Sequence, residues 1–600
     1  MELHVIDWTF IICFFVVALL IGIWVSRQAG KDKNQFFLSG RNMPWWLLGM
    51  SMVATTFSTD TPNLVTDIVR QRGVAGNWVW WAFLLTGMLT VFVYAKLWRR
   101  SGVLTDVEFY EIRYSGRSAA FLRGFRSLYL GIIFNVMIMA AVTLAAIKIG
   151  GVMLGFSPLK TILLASVITV TFSTLGGFKG VLLTDFLLFI LAMAGSIAAA
   201  VIAVQLPEVG GLEKLLSHEN VRDKLALFPA FDFGSEESTG LVISVLIIPL
   251  AVQWWSVWYP GSEPGGGGYI AQRMLAARTE KHAMGATLFF NIAHYALRPW
   301  PWILVALCSL IVFPDLESLR SAFPHVDPDV VRHDLAYPAM LTFLPSGMLG
   351  LVLASLIAAY MSTISTQLNL GSSYLVNDFY HRFIRREAPE KELVMAGRIA
   401  TVLLMVLAGG LALVLSNALE AFNILLQIGA GTGLLFILRW FWWRINAWSE
   451  ISAMVISFLI ALYFQFLHES LFPDMPMADH WRLAIGVGVT TAGWIAITLF
   501  TPPTEEATLR SFYCLTRPGG PGWERICRKA RSEGQPLEAG GKGWTVPLGI
   551  VCMFAGCLLV YCALFATGYF LYGKVAPGVV LSAIAAAAAV FLGFTWSRVS

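Results

Sequence analysis

The 600-residue chain is 57% hydrophobic and only 13% charged, whereas about a quarter of a soluble domain is charged. So much apolar surface excludes a water-soluble fold and makes lipid the solvent for most of the chain. The net charge of +5 is small, and no Lys/Arg tract with interleaved aromatics is present, which argues against a nucleic-acid partner.

Apolar runs predict about fifteen spans, at 5–25, 44–70, 77–98, 124–150, 159–178, 180–205, 239–259, 283–312, 344–376, 396–417, 421–444, 447–468, 483–502, 545–570 and 575–597. The first is long for a signal sequence and lacks an obvious small-residue cleavage site, so it reads as a retained helix. Alternate loops are basic. They carry Arg27, Lys31, Lys33 and Arg41, then Arg99, Arg100, Arg113, Arg117, Arg123 and Arg126, and further on Arg273, Arg278 and Lys281. The intervening loops are poorer in Lys/Arg, and 206–238 is rich in Asp and Glu. The positive-inside bias places the N-terminus outside and, for an odd span count, the C-terminus in the cytoplasm. The expected location is the cell membrane. Trp45, Trp46, Trp78, Trp80, Trp81, Trp440, Trp442 and Trp443 cluster at span ends, where interfacial anchoring explains them. The seven cysteines form no zinc-type pair and read as small core residues.

The chain divides into 1–43, an extra helix and loop; 44–205, a first core repeat; 206–238, an external loop; and 239–444, a second core repeat. Additional helices follow at 445–502, then a polar linker at 503–544 and a two-helix extension at 545–600. Two spans are polar at mid-membrane. One contains Thr55-Thr56-Phe57-Ser58-Thr59-Asp60-Thr61-Pro62, the other Gln253-Trp254-Trp255-Ser256. Each reads as a helix broken in its middle. Five spans separate their starting points, the arrangement of an inverted repeat whose paired broken helices hold solute and ions.

The sharpest feature is Ser362-Thr363-Ile364-Ser365-Thr366 in span 9. On a helix the four hydroxyls form one patch, a donor set suited to sodium, although hydroxyls in spans also bond back to their own helix or join neighbours. Asp185 lies inside span 6, where a buried charge needs a partner such as a cation; the bland alternative is a helix-end aspartate in a hydrated vestibule. Asp60 is placed to contact solute, sodium or Arg298, and a structural Asp60–Arg298 pair is the competing reading. Gln427 can both donate and accept, as a polar-solute site requires. The glycines of Gly429-Ala430-Gly431-Thr432-Gly433 suit close helix packing. Gly265 to Gly268 reads as a flexible turn, since the context of a phosphate loop is missing. No catalytic cluster is present, so nothing argues for an enzyme.

Taken together these residues resemble the sodium:solute symporter family. The resemblance covers roughly residues 5–500 and rests on four segments in order: Phe36-Phe37-Leu38-Ser39-Gly40-Arg41-Asn42-Met43-Pro44-Trp45-Trp46; Leu175 to Val181 with Thr184-Asp185; Tyr269 to Arg278; and Met361-Ser362-Thr363 through Ser372-Ser373-Tyr374 and Asp378. It implies an all-α integral membrane fold with a leucine-transporter-type core of five plus five inverted-repeat helices, one extra N-terminal helix and about four C-terminal helices. It implies a first Na+ site from the carbonyls of Ala54, Phe57 and Ala359 with the hydroxyls of Ser362 and Thr363. A second Na+ site of some members matches Asp185, Ser362, Ser365 and Thr366, giving an expectation of two sodium ions per cycle. Solute is expected among Asp60, Thr61, Asn135, Gln253, Ser256, Arg298 and Gln427. The chain departs from the family pattern in the Gly/Pro-rich stretch Pro260 to Gly268, in Ser256 where sugar carriers place an inner-gate tyrosine, and in Arg298, which has no counterpart and favours an acidic solute such as a sugar acid. The implied activity is sodium-driven import of a small polar solute, a sugar or sugar derivative. A solute sensor and a sodium-independent uniporter are the rivals. The oligomeric state stays open, a monomer included.

Overall fold

The computed structural model describes residues 3–29, 33–231, 234–256, 263–326, 331–415, 429, 431–473, 475, 477–537 and 544–599. Among them the architecture is helical, with one isolated backbone bridge joining Met43 to Ala277. Helix α1 spans Val5–Ala29. The predicted second span divides into α2, Trp45–Thr56, and α3, Asp60–Arg72. Then come α4, Val74–Ser101, and α5, Gly116–Leu154. Helix α6, Pro158–Gln205, holds two predicted spans, divided by a kink at Gly177 with φ of 52°. It is followed by α7, Ser238–Ala251, a tight turn at Gln253–Trp255, α8, Gly268–Ala276, α9, Glu280–Val312, and α10, Met348–Ile384. The remaining elements are α11, Glu390–Ala412, α12, Gly433–Leu438, α13, Ala447–Leu471, α14, Asp479–Phe500, α15, Glu506–Thr516, α16, Glu524–Ser532, α17, Val546–Leu571, and α18, Val575–Val599. Among the described residues, eleven helices are long and apolar enough to cross a membrane, and Pro158–Thr171 and Ser238–Ala251 are shorter apolar ones. Much of the predicted span 421–444, with Gln427, lies outside the described residues.

Both expected interruptions are present. Phe57 leaves the helix at φ −88°, ψ 64°, and α3 restarts at Asp60. Pro62 falls in its first turn, where a missing N–H costs nothing because those groups have no intrahelical partner. The second interruption follows α7, where Val252 and then Ser256 depart from helical geometry. Helices α2 and α3 lie at the centre, packed against α6, α9 and α10.

The glycine of α12 confirms the packing reading of its segment. A Cβ on Gly433 would stand 1.8 Å from the Trp255 carbonyl oxygen, so α12 approaches the broken turn backbone to backbone. The expectation of a flexible turn at Gly265 to Gly268 is corrected. These residues are buried, Trp98 Nε1 donates to the Gly265 carbonyl at 2.8 Å, and Gly268 N donates to Asp106 Oδ2 at 2.8 Å. Gly266 sits at φ 88°, and a Cβ there would be 2.6 Å from Met274 Cε. Composition alone marks the run as mobile because it does not reveal that its polar groups find partners.

The flanking helices buttress the core. Tyr561 on α17 donates to the Trp81 carbonyl at 2.8 Å, and Trp300 donates to the Leu564 carbonyl at 2.8 Å. The polar linker folds as α15 and α16, with Trp523 donating to the Trp440 carbonyl at 2.9 Å. On α1, Asp7 is fully buried and its Oδ1 accepts from Gly347 N and Gly350 N, each at 2.7 Å. The extra helix thereby caps the N-terminal donors of α10. Asp7→Ala is expected to cost about 1–3 kcal/mol for each buried donor left bare, read as a lowered unfolding midpoint in detergent; Asp7→Asn, which keeps an acceptor oxygen, should lose less.

Candidate functional site

The break between α2 and α3 meets α10 at the middle of the bundle. A helix C-terminus leaves carbonyls without intrahelical partners, and here two are met by hydroxyls. Thr363 Oγ1 donates to the Thr55 carbonyl at 2.7 Å and lies 3.2 Å from the Ala359 carbonyl, while Thr61 Oγ1 donates to the Thr56 carbonyl at 3.1 Å. Ala54, Phe57, Ala359, Ser362 and Thr363 are each at most 2% exposed. The residues expected for the first sodium site are therefore buried in protein, and Thr363 links α10 to the end of α2. A hydroxyl that donates keeps its lone pairs, and a carbonyl that accepts one bond keeps a second, so these contacts leave oxygens able to ligate a cation. Among the described residues no group of three His, Cys, Asp or Glu side chains is placed to hold a metal. The donors here are hydroxyls and carbonyls, hard ligands that suit sodium.

Beside this junction, Asp185 is fully buried, which removes the reading of a hydrated helix-end aspartate. Ser362 Oγ donates to its Oδ1 at 2.6 Å, and Ser51 Oγ donates to Oδ2. The guanidinium of Arg273, from α8, enters the same cluster. Its Nη2 donates to Thr366 Oγ1 at 2.9 Å, to Ser51 Oγ at 3.0 Å and to Thr55 Oγ1 at 3.3 Å, and lies 3.6 Å from Asp185 Oδ2. Ser365 Oγ returns to the Ser362 carbonyl at 3.2 Å. Asp185, Ser362 and Thr366 thus share one cluster, and a side-chain cation stands inside it.

Arg298 occupies a distorted stretch of α9. Pro299 and Pro301 remove two helix donors, the residues 293–297 adopt the wider π register, and Arg298 N bonds to the Ala293 carbonyl at 3.2 Å. The buried guanidinium points at the end of α2: Nη1 donates to Thr56 Oγ1 at 3.1 Å, and Nη2 lies 3.2 Å from His294 Nε2. Since guanidinium only donates, Nε2 must accept, which puts the imidazole proton on Nδ1, 3.1 Å from Thr56 Oγ1. No ion pair within 4.0 Å joins Arg298 to Asp60 among the described residues, although each lies within electrostatic reach of the other. Asp60 Oδ1 and Arg298 Nε are both buried without a hydrogen-bond partner, as are Ser256 Oγ and Asn135 Oδ1. Asn135 Nδ2 donates to the Gln367 carbonyl at 2.8 Å, and Gln253 Nε2 donates to the Val79 carbonyl at 2.7 Å. Each of these two side chains ties core helices together through its amide nitrogen.

Four participants escape the sequence expectations: Ser51, Thr56, Arg273 and His294. Ser51 and Thr56 carry a usable signal, a hydroxyl every four or five residues along a span that also holds Thr55. Arg273 and His294 carry none; the first reads as a loop charge and the second as a solitary polar residue.

Comparison with known proteins identifies the family and the fold. The family model for the sodium:solute symporter family matches residues 36–457. A sodium/glucose cotransporter of Vibrio parahaemolyticus is 25% identical over 484 residues, covering 78% of this chain and 85% of its own length. Sodium/glucose cotransporter 1 of Oryctolagus cuniculus is 25% identical over 491 residues, covering 76% and 71%. Among solved structures, a Na+-coupled sialic acid symporter in a substrate-bound outward-open state superposes with a TM-score of 0.62 at 20% identity, over 84% of this chain and 100% of that one. The fold is thus the expected leucine-transporter type.

Proposed function

The chain belongs to the sodium:solute symporter family, with sodium as its coupling ion, and on that premise we propose that it imports a small polar organic solute, a sugar or sugar derivative, by alternating access. The observation that carries the proposal is the docking of the α2 break on the Thr363 hydroxyl of α10. Sodium bound there from outside joins the two helices and favours the outward-open form. Solute then permits closure, and the low cytoplasmic sodium concentration empties the site. The coupling is limited by how much more tightly each ligand binds one form than the other. On the same reading the basic loops are cytoplasmic and the N-terminus is outside.

The solute assignment draws on buried polar atoms near the two helix breaks. Native proteins rarely bury polar groups without partners, and Asp60 Oδ1, Arg298 Nε, Ser256 Oγ and Asn135 Oδ1 supply both acceptors and donors, as a polyhydroxylated ligand requires. The relatives named for sodium/glucose cotransport point to the same class. Arg298 adds a preference for an acidic substituent. Uptake into proteoliposomes of sugars, sugar acids and amino acids, each with and without an inward sodium gradient, tests the reading; a solute accumulated equally without sodium sinks it. Arg298→Gln is expected to raise the solute KM by about 10- to 100-fold, the loss of one charge-assisted hydrogen bond, with the larger change for the acidic solutes.

A further inference from the structure

We propose that Arg273 is a tethered cation that fills the second ion position, so that this chain carries one sodium ion per solute and not two. The inference rests on the symport reading above and concerns its stoichiometry. The oxygens expected to hold a second sodium are those of Asp185, Ser362, Ser365 and Thr366. In the structure the charge of Asp185 is answered by Arg273, with both side chains wholly inaccessible. Nη2 alone reaches Thr366 Oγ1 at 2.9 Å, Ser51 Oγ at 3.0 Å and Thr55 Oγ1 at 3.3 Å.

The guanidinium is held on its other sides as well. Nη1 donates to Gln272 Oε1 at 3.1 Å, and Gln272 Nε2 is fixed by Asn369 Oδ1 at 2.9 Å and the Phe37 carbonyl at 3.1 Å. Its Cζ stands 5.1 Å from the Phe178 ring centroid and 5.8 Å from that of Tyr269. A sodium ion bonded to Asp185 and Thr366 would need the space of Nη2 and would leave one carboxylate facing two buried cations, an excess charge that a membrane interior penalises. These Arg273 contacts fall on Ser51, Thr55, Thr366, Gln272 and Asp185, and not on the residues expected for the first site alone.

The experiment counts ions. Binding of radioactive sodium to purified protein in detergent should give one ion per chain for the wild type, and uptake should rise with sodium with a Hill coefficient near one. Arg273→Gln removes the charge while keeping hydrogen-bonding atoms, and should bind two ions with a Hill coefficient moving toward two. The double variant Arg273→Gln/Asp185→Asn should return to one ion, and Arg273→Lys should stay at one. Two ions on the wild type overturn the inference without any variant having to fold. One ion on a folded Arg273→Gln protein overturns it too. No sodium on any of them overturns the symport reading itself, a separate outcome.

Discussion

Thr363→Val is expected to raise the sodium concentration for half-maximal uptake by about 10- to 100-fold, because each ligand oxygen to a cation contributes on the scale of a charge-assisted hydrogen bond, about 1.5–3 kcal/mol. The substitution nearly preserves volume and removes one oxygen. That oxygen is the link from α10 to the end of α2, 2.7 Å from the Thr55 carbonyl. On the proposed site, its loss removes a cation ligand together with the contact between α10 and α2 that sodium would reinforce. Ser362→Ala should match it in sodium affinity and additionally deprive Asp185 of the donor at 2.6 Å. The control is Thr567→Val on α17, where the hydroxyl bonds within its own helix to Ala563 at 2.9 Å; it should leave the sodium dependence within about twofold. Uptake into proteoliposomes at graded external sodium measures all three. A Thr363→Val protein with unchanged half-saturation would remove this threonine from the ion site, and unchanged behaviour of Ser362→Ala as well would remove the site.

How far such a site can be read from sequence depends on which signals are local. The break was legible because Asp60-Thr61-Pro62 in an apolar span is a local violation of helix chemistry, and the structure interrupts the helix at Phe57, just before it. The hydroxyl patch was legible because i and i+3 spacing fixes a face wherever the helix packs. Arg273 was illegible for the opposite reason. A single arginine between two spans carries a topological signal first, and only the tertiary placement of α8 buries it against Asp185, 88 positions earlier in the chain. His294 and Asp7 fail likewise: a lone polar residue in an apolar run has many outcomes until its partner is known, Thr56 and Arg298 in one case and the start of α10 in the other.

The second large effect is expected at Glu263, in the segment where the chain departs most from the family pattern. Glu263 binds Arg126 on α5 and approaches Arg439, which follows α12, at 3.5 Å; Arg439 in turn stands 3.5 Å from Glu450 on α13. All four side chains are at most 5% exposed, and two positive charges balance two negative. Removing one partner of a buried pair costs about 3–5 kcal/mol because the other charge stays buried and uncompensated. Glu263→Gln should therefore be far more damaging than any surface substitution. On the proposed topology this cluster ties four elements at the cytoplasmic end, so its loss should also favour the inward-open form. Labelling of a cysteine introduced at Ser256 by an impermeant reagent from the cytoplasmic side should then accelerate, while solute uptake falls by about 100-fold, the scale of a 3 kcal/mol shift. The double variant Glu263→Gln/Arg126→Gln restores the charge balance and should recover part of both losses, since neighbours in one network do not add. If the double variant is as impaired as the sum of the two single variants, the cluster works by separate contacts, and charge balance does not hold the cytoplasmic end closed.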